Sequence, residues 1–249
     1  MVTEKKRDMS ALYVPMSIIV AAIIISFGLY FGLAGKGGAA TGGAAQGQQP
    51  SANTNIKDVD ISGRPFIGKG NAPVVMAYWY DYQCPFCKAV DTGGIPQIPT
   101  PAAMPDIIKN YVNTGKVKVV FFDYPFLGQD SIDGALYSHA VWDLYPQQWF
   151  NWHQEMFHQQ DEEGDQGFGD AASIEAMIKS KFPQMDVAKI KAYIASNKDA
   201  FTKELQDERA VGAAQGVNGT PGFVIGTTLI SGADQYSAFE AAIEAVLNK

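Results

Sequence analysis

Cys84 and Cys87 are the only cysteines in this 249-residue chain, and they stand three positions apart in "DYQCPFCK". Two thiols at that spacing can act as a structural staple, as half of a metal site, or as a couple that cycles between dithiol and disulfide. A staple closing a loop of about four residues gains roughly 2 kcal/mol in the chain-entropy account, less than bridges over longer loops. A closed zinc site needs about four ligands, of which two thiolates are half. The histidines, His139, His153 and His158, lie far along the chain and show no i, i+4 pairing. The residues therefore favour a redox couple, with no metal ligands assigned and no cofactor expected.

The flanking sequence says how such a couple would work. "PVVMAYWYDYQ", from Pro73, is a mostly apolar, β-rich run ending at Asp81, as expected of a buried strand. Pro85 suits the first turn of a helix, where its missing N–H costs nothing. Cys84 then stands at a helix N-terminus, where unpaired backbone N–H groups and the helix dipole stabilise a thiolate. A lower pKa makes Cys84 a better leaving group and stabilises the reduced form, so the disulfide becomes more oxidising. Cys87, one turn on, is expected to point inward and act as the resolving thiol. Phe86 cannot donate a hydrogen bond to the Cys84 thiolate, and Pro85 with Phe86 can form an apolar lip for unfolded substrates. Asp81 has two readings, a proton acceptor for Cys87 or a mere cap of the active-site helix or solvent-facing group, and the second is favoured.

These residues need a compartment and a scaffold. Between Asp8 and Lys36 lie 27 residues without a charge, enough helix to cross a bilayer. Lys5, Lys6 and Arg7 precede the gap, which places residues 1–10 in the cytoplasm and exports the chain beyond the apolar stretch. An uncleaved anchor over 11–34 is favoured over a cleaved signal ending near Ala34 or Ala40, because the apolar stretch exceeds the usual core of such signals. Residues 35–55 are rich in Gly, Ala, Gln and Ser and read as a flexible tether. The remainder, 56–249, has the size of one domain with an inserted subdomain. A net charge of −7, with no basic cluster beyond the N-terminal one, excludes nucleic acid as a natural partner.

With the cysteines, their strand and their compartment in place, "YDYQCPFCK" resembles the active site of the DsbA-type thiol–disulfide oxidoreductases. That resemblance implies a thioredoxin fold with a helical insertion. A second match is "GVNGTPGFVIG", residues 216–226, where Pro221 stands at the place of the cis-proline that faces the disulfide in thioredoxin-like proteins. Proline has no N–H to donate, and the Thr220 backbone is expected to remain available to an extended substrate beside Cys84. "QQWFNWHQEMF", 147–157, resembles a segment of the family's helical insertion. The chain departs from the family where Gly93 and Gly94 interrupt the active-site helix and "GGIPQIPTPAAMP" comes next, an insertion that either shapes docking or is a neutral loop. Some relatives carry a histidine at the position of Phe86, so the resemblance implies a less extreme redox potential here.

The rest of the chain fits that architecture. "KVKVVFFDYPF" from Lys116 reads as a second buried strand, with Gly115 closing a helix expected over 106–114. Helical patterns occupy about 131–160, 173–182, 187–196 and 200–215, so the insertion spans about 130–215. Asp186 and Asp199 read as N-caps and Gly216 as a stop. Residues 223–225 and 228–230 form a hairpin around Gly226-Thr227, and a closing helix covers 236–247. Trp149, Trp152 and Phe157 read as core of the helical block, His153 and His158 as structural or surface residues, and "DEEGD", 161–165, as a solvated loop.

The expected protein is an α/β thioredoxin-like domain behind one transmembrane helix, a protein thiol–disulfide oxidoreductase. It would act mainly as an oxidase on reduced or misoxidised exported polypeptides. The resemblance further implies a membrane redox partner, quinone-linked, that regenerates the disulfide. The alternatives are a reductase or isomerase of the same fold, and a non-enzymatic holdase or copper-binding module.

Overall fold

The computed structural model describes residues 54–161 and 167–249. The cytoplasmic N-terminus, the anchor over 11–34, nearly all of the tether and positions 162–165 of the acidic run lie outside the described residues. Among the described residues no helix is long and apolar enough to cross a membrane. The last two residues read as tether belong to the domain. Thr54 is buried and donates to the Gln215 carbonyl at 2.9 Å, and the Asn55 N–H donates to Gln215 Oε1 at 2.7 Å.

Five strands form one sheet in the order β1-β3-β2-β4-β5. Strand β2 (Val74–Tyr80) is central, because nearly every one of its residues is apolar and both its faces can be covered. It pairs in parallel with β3 (Val117–Asp123) from Val74↔Val117 to Tyr80↔Asp123, and antiparallel with β4 (Gly222–Ile225), Trp79 opposite Gly222. Strand β5 (Thr228–Ser231) completes the expected hairpin, with Gly226 at φ +61° in its turn. Strand β1 (Phe66–Ile67) was not legible in the sequence; it adds an antiparallel edge to β3 through Phe66↔Val120.

The two-residue period of the strands divides the core. Met76, Tyr78 and Tyr80 point with Val119 and Phe121 into the larger cluster, which the helices cover. Ala77, Trp79, Val120, Phe122 and Val224 point into a smaller cluster on the other face. Helix α1 (Pro85–Asp91) follows β2 and stops where Gly93 and Gly94 adopt φ +71° and +82°, so the interruption read at these glycines is present. After the Pro-rich loop, α2 (Met104–Ile107) runs on as a π-helical turn to Val112, starting two residues before the expected Asp106. Gly115 ends it at φ +78°, with the Lys116 N–H bonded back to Tyr111.

Four helices lie between β3 and β4. They are α3 (Gln129–Leu144), α4 (Pro146–Gln159), α5 (Ala171–Lys181) and α6 (Val187–Ala214). Two sequence expectations are corrected here. The single pattern over 131–160 is broken at Tyr145, because Pro146 removes a helical donor and drives the preceding residue to φ −140°. The two patterns 187–196 and 200–215 are one continuous helix, and Asp199 sits exposed inside it, capping nothing. Asp186 is a true N-cap, accepting from the Lys189 N–H at 3.1 Å, and Gly216 terminates α6 at φ +88°. Helix α7 (Tyr236–Leu247) closes the domain against β4 and β5, burying Phe239, Ala242 and Ile243.

One buried polar cluster fastens α6 to the sheet. Glu208 of α6 is paired with Arg64 and also receives the Asp123 backbone N–H. His139 of α3 lies 3.0 Å from Glu204 through Nδ1 and 3.2 Å from Glu208 through Nε2. Asp123, His139 and Glu208 are a group of metal-type donors within 4.8 Å. Their charges are already answered, however, by the Arg64 guanidinium and by a His139 held protonated, its pKa raised to about 10. The cluster forms an internal ion-pair network.

Candidate active site

The turn between β2 and α1 carries Cys84, the first turn of α1 carries Cys87, and both cysteines are free thiols. Cys84 is the N-cap of α1, extended at φ −79°, ψ 118°, with Pro85 in the first helical turn as the sequence required. Cys87 is fully buried and Cys84 4 % exposed, while Phe86 between them is 48 % exposed, so the apolar lip projects into solvent above the sulfurs.

The Thr220–Pro221 bond is cis, as expected. The Thr220 carbonyl lies 3.4 Å from Cys84 Sγ, which donates to it in the thiol form. The expectation that the Thr220 backbone stands free is therefore corrected for its carbonyl in the reduced protein. Once ionised, Cys84 is favoured first by the Cys87 thiol, which donates to it. The backbone N–H groups of Cys87 and Phe86 add to this. Together they outweigh burial and lower the Cys84 pKa below the ordinary thiol value. Cys87 moves the other way: burial is the main cause, the neighbouring Cys84 sulfur adds to it, and its thiol is pushed well above the ordinary range. Two chemically identical residues are thus split, Cys84 shifted toward the thiolate and Cys87 toward the protonated thiol.

Asp81 is neither a cap nor a solvent group, which corrects the favoured sequence reading. It is buried; Oδ1 accepts from the Gln83 N–H at 2.9 Å, and Oδ2 from the N–H groups of Phe126 at 2.8 Å and Leu127 at 3.3 Å. Its carboxylate ties the active-site turn to the loop after β3. Burial raises its pKa, and these hydrogen bonds oppose the rise. Its backbone N–H, not its carboxylate, is what acts on Cys87.

Two features of the site were missed in the sequence. Gln160, just past α4, donates through Nε2 to the carbonyls of Tyr82 at 2.6 Å and Cys84 at 3.1 Å. Lys88 of α1 answers by donating to the Gln160 carbonyl at 2.6 Å. No local signal could have paired these residues across more than 70 positions. Asp91, by contrast, stands four residues after Cys87 on the buried face of α1, a relation the helical period makes readable. Its Oδ2 receives the Tyr78 hydroxyl at 2.5 Å, and its Oδ1 lies 3.4 Å from His153 Nε2. His153, Trp149, Trp152 and Phe157 are all buried, in keeping with their reading as structural core, and His158 is exposed.

Comparison with known proteins places this geometry. The thioredoxin family model matches residues 61–245. Disulfide bond formation protein D of Bacillus subtilis (strain 168) is 24 % identical over 189 residues, 74 % of this chain and 77 % of that protein. The oxidised crystal structure of BdbD from Bacillus subtilis superposes with a TM-score of 0.65 at 24 % identity, covering 76 % of this chain and 96 % of that one. The thiol-disulfide exchange protein alpha-DsbA2 from Wolbachia pipientis gives 0.60 at 26 % identity, covering 74 % of this chain and 88 % of that one. With a matched fold, a cis-proline facing a Cys-x-x-Cys and an inserted helical block, the chain belongs to the thioredoxin family as a DsbA-like protein thiol–disulfide oxidoreductase.

Proposed function

We propose that this protein is an oxidase of exported polypeptides, and that Cys84 and Cys87 are its working couple. The observation that carries the reading is the placement of the two thiols, Cys84 at the N-cap of α1 beside the cis Thr220–Pro221 turn and Cys87 fully buried. That arrangement shifts the Cys84 pKa down and that of Cys87 up. A substrate thiolate attacks Cys84 Sγ, the Cys84–Cys87 bond breaks, and Cys87 leaves with the electron pair and takes up a proton. A second substrate thiolate then attacks the substrate sulfur of the mixed disulfide. Cys84 departs as the stabilised thiolate, so the substrate is oxidised by two electrons and the protein reduced by two. A leaving group favoured as an anion drives the exchange toward substrate oxidation.

The supporting parts have roles in the same reading. Pro85 and the exposed Phe86 form the apolar lip against which an unfolded segment rests. Backbone at Thr220 and Pro221 guides that segment beside Cys84, and Asp81 holds the turn in place. Residues 11–34 anchor the protein with its N-terminus in the cytoplasm and 35–53 tether the catalytic domain outside, where reduced exported proteins arrive. A membrane redox partner, quinone-linked, then restores the disulfide. Relatives named for disulfide bond formation and thiol-disulfide exchange support this assignment.

The test is the redox equilibrium of the full chain against glutathione buffers. A potential toward the oxidising end of the known range, closer to about −120 mV than to about −270 mV, is expected, whereas a value near the second would replace this reading with a reductase. Failure to cycle at all would return the cysteines to structure or metal.

A further inference from the structure

The sheet face that carries the smaller apolar cluster is filled at one end and hollow at the other. Val75, Ala77 and Trp79 share that face through the two-residue period of β2. Toward the cysteines, Trp79 stacks on Phe122 and lies against Gly212 of α6. At the start of the strand Val75 is only half-buried. Its neighbour on β3 is Lys118, whose Nζ is drawn over the Phe66 ring at 4.2 Å. Here lies a cavity of about 590 Å³, with apolar walls from Ile56, Ile61, Pro73, Val75 and Val246. That volume falls within the about 300–1,000 Å³ of small-ligand sites. Val75 stands five residues before Tyr80, roughly 16 Å along the strand, so the cavity is separate from the cysteines.

The walls are tied in place. The Ile56 N–H donates to the Gly226 carbonyl at 2.8 Å, which holds the 3₁₀ turn Ile56–Asp58 against the β4–β5 hairpin. Asn55 caps that turn, its Oδ1 accepting from the Lys57 N–H at 3.1 Å. A Cβ on Gly226 would stand 2.6 Å from Val246 Cγ2, so the end of α7 is seated on the hairpin as well. A hollow held open among apolar side chains forfeits their contacts until something fills it. Residues 35–53 carry no large apolar side chain that could do so.

The polar part of the lining points to the filler. Two charged side chains contribute to it, those of Lys57 and Lys249, both exposed and neither in an ion pair among the described residues. No acidic side chain lines the cavity, and the opposing charge is the backbone carboxylate of Lys249. An inorganic anion would meet the ammonium groups and leave the apolar walls wet. A neutral apolar molecule would fill the walls and leave the ammonium groups unused.

We propose that this cavity binds an anionic amphiphile, its apolar chain against Ile56, Ile61 and Val75 and its head between Lys57 and Lys249. Two sources share that chemistry, a free fatty acid and an anionic bilayer lipid. The cavity opens beside Asn55, where the segment read as a tether joins the domain, so the bilayer source suits an anchored protein. Only that source rests on the anchored reading; the site does not. A bilayer lipid held here turns the end of the sheet opposite the cysteines toward the membrane. Cys84 then faces away from it, toward arriving polypeptides.

The test uses the full chain in phosphatidylcholine nanodiscs containing a trace of one diazirine-tailed probe: palmitate, phosphatidylglycerol or phosphatidylcholine. After irradiation, mass spectrometry maps the labelled peptides. At least one anionic probe is expected to label peptides containing 55–61 and 73–75 about tenfold more than the phosphatidylcholine probe does. Labelling by palmitate alone identifies a free fatty acid as the ligand, and labelling by phosphatidylglycerol a bilayer lipid. The double variant Lys57→Gln, Lys249→Gln should lower this labelling about tenfold, as expected for two ammonium groups beside an anionic head. Val75→Phe, which fills the cavity, should abolish it, and both variants should keep the unaltered glutathione equilibrium. Should Val75→Phe fail to fold, the exposed lysine pair carries the test. Absent cavity labelling, equal labelling by phosphatidylcholine, or labelling unchanged by the lysine variant overturns the proposal. Labelling that falls as protein concentration rises gives the cavity to a second copy of the chain and overturns it too. Peptides from 11–34 report the anchor separately: if the phosphatidylcholine probe leaves them unlabelled, the anchored reading falls while the palmitate result still decides the site.

Discussion

Gln160 donates through Nε2 to the carbonyl of Cys84 at 3.1 Å, a bond that reaches from the end of the helical block to the first cysteine of the pair. The same amide holds the Tyr82 carbonyl at 2.6 Å, and Lys88 locks the arrangement from the other side. The insertion thereby fixes the active-site turn.

Replacing Gln160 with alanine should therefore reach beyond local stability. The Cys84 carbonyl keeps the N–H groups of Cys87 and Lys88, but the donor to the buried Tyr82 carbonyl is lost. A buried acceptor left unmatched costs about 1–3 kcal/mol. We expect a lower melting temperature and a several-fold slower oxidative refolding of a reduced substrate. Wild-type rates in a destabilised Gln160→Ala protein would show that the strap is structural only.

Gly212 gives a prediction whose sign runs against helix propensity. A Cβ placed there would stand 2.8 Å from Trp79 Nε1 and 3.0 Å from Cδ1. Trp79 cannot retreat, since it stacks on Phe122 at 4.7 Å and donates to the Glu208 carbonyl at 3.0 Å. Gly212→Ala gains about 1 kcal/mol of intrinsic helix preference but overpacks a filled contact, at about 1–3 kcal/mol. Calorimetry should find the variant less stable by roughly 2–6 °C.

How far the sequence could be read depended on the range of each signal. The cysteine pair, Pro221, the two buried strands and the Asp186 cap are written in a few adjacent residues, and each appears where expected. Asp199 misled because "ASNKDAF" looks like a break. In the folded helix the Ser196 hydroxyl and the Asn197 amide donate back to the Tyr193 carbonyl, so polar side chains that usually compete with a helix are absorbed by it. Strand β1 is two residues long and exists only because β3 offers it an edge. Gln160 and Glu208 act on partners 76 and 85 positions away, and nothing in their own neighbourhoods announces it.

The Asp123–His139–Glu208 cluster sets a pH dependence with a defined sign. Burial works against the His139 imidazolium, but Glu204, Glu208 and Asp123 together raise its pKa from 6.5 to about 10. A basic group whose folded pKa is raised contributes stability that is complete below about pH 6.5 and is lost as pH climbs toward about 10. Asp123, raised to about 8 mainly by burial and then by Glu208, keeps its proton in the fold and adds a slope of the same sign at lower pH. Melting of the oxidised protein, in which neither cysteine titrates, should fall steadily from pH 7 to 10. His139→Gln should be less stable at pH 7 and lose most of that slope. A His139→Gln protein with the original slope would place the titrating group elsewhere.

Phe86 limits how far the thiolate is stabilised, and that limit can be moved. The ring is 48 % exposed and offers the sulfurs no hydrogen bond, so Cys84 depends on the Cys87 thiol and backbone N–H groups. A histidine at this position would bring a donor and, below its own pKa, a positive charge to the same sulfur, at little cost to the core because the side chain is already exposed. Phe86→His should lower the Cys84 pKa by about one unit and move the glutathione equilibrium about tenfold toward the reduced protein, which makes the disulfide the stronger oxidant. Ultraviolet titration of the thiolate reads the first change and the glutathione equilibrium the second. The two must move together, because stabilising the thiolate favours the reduced form. A lowered pKa with an unmoved equilibrium would mean that the variant also weakens the reduced state through its contacts with Cys87.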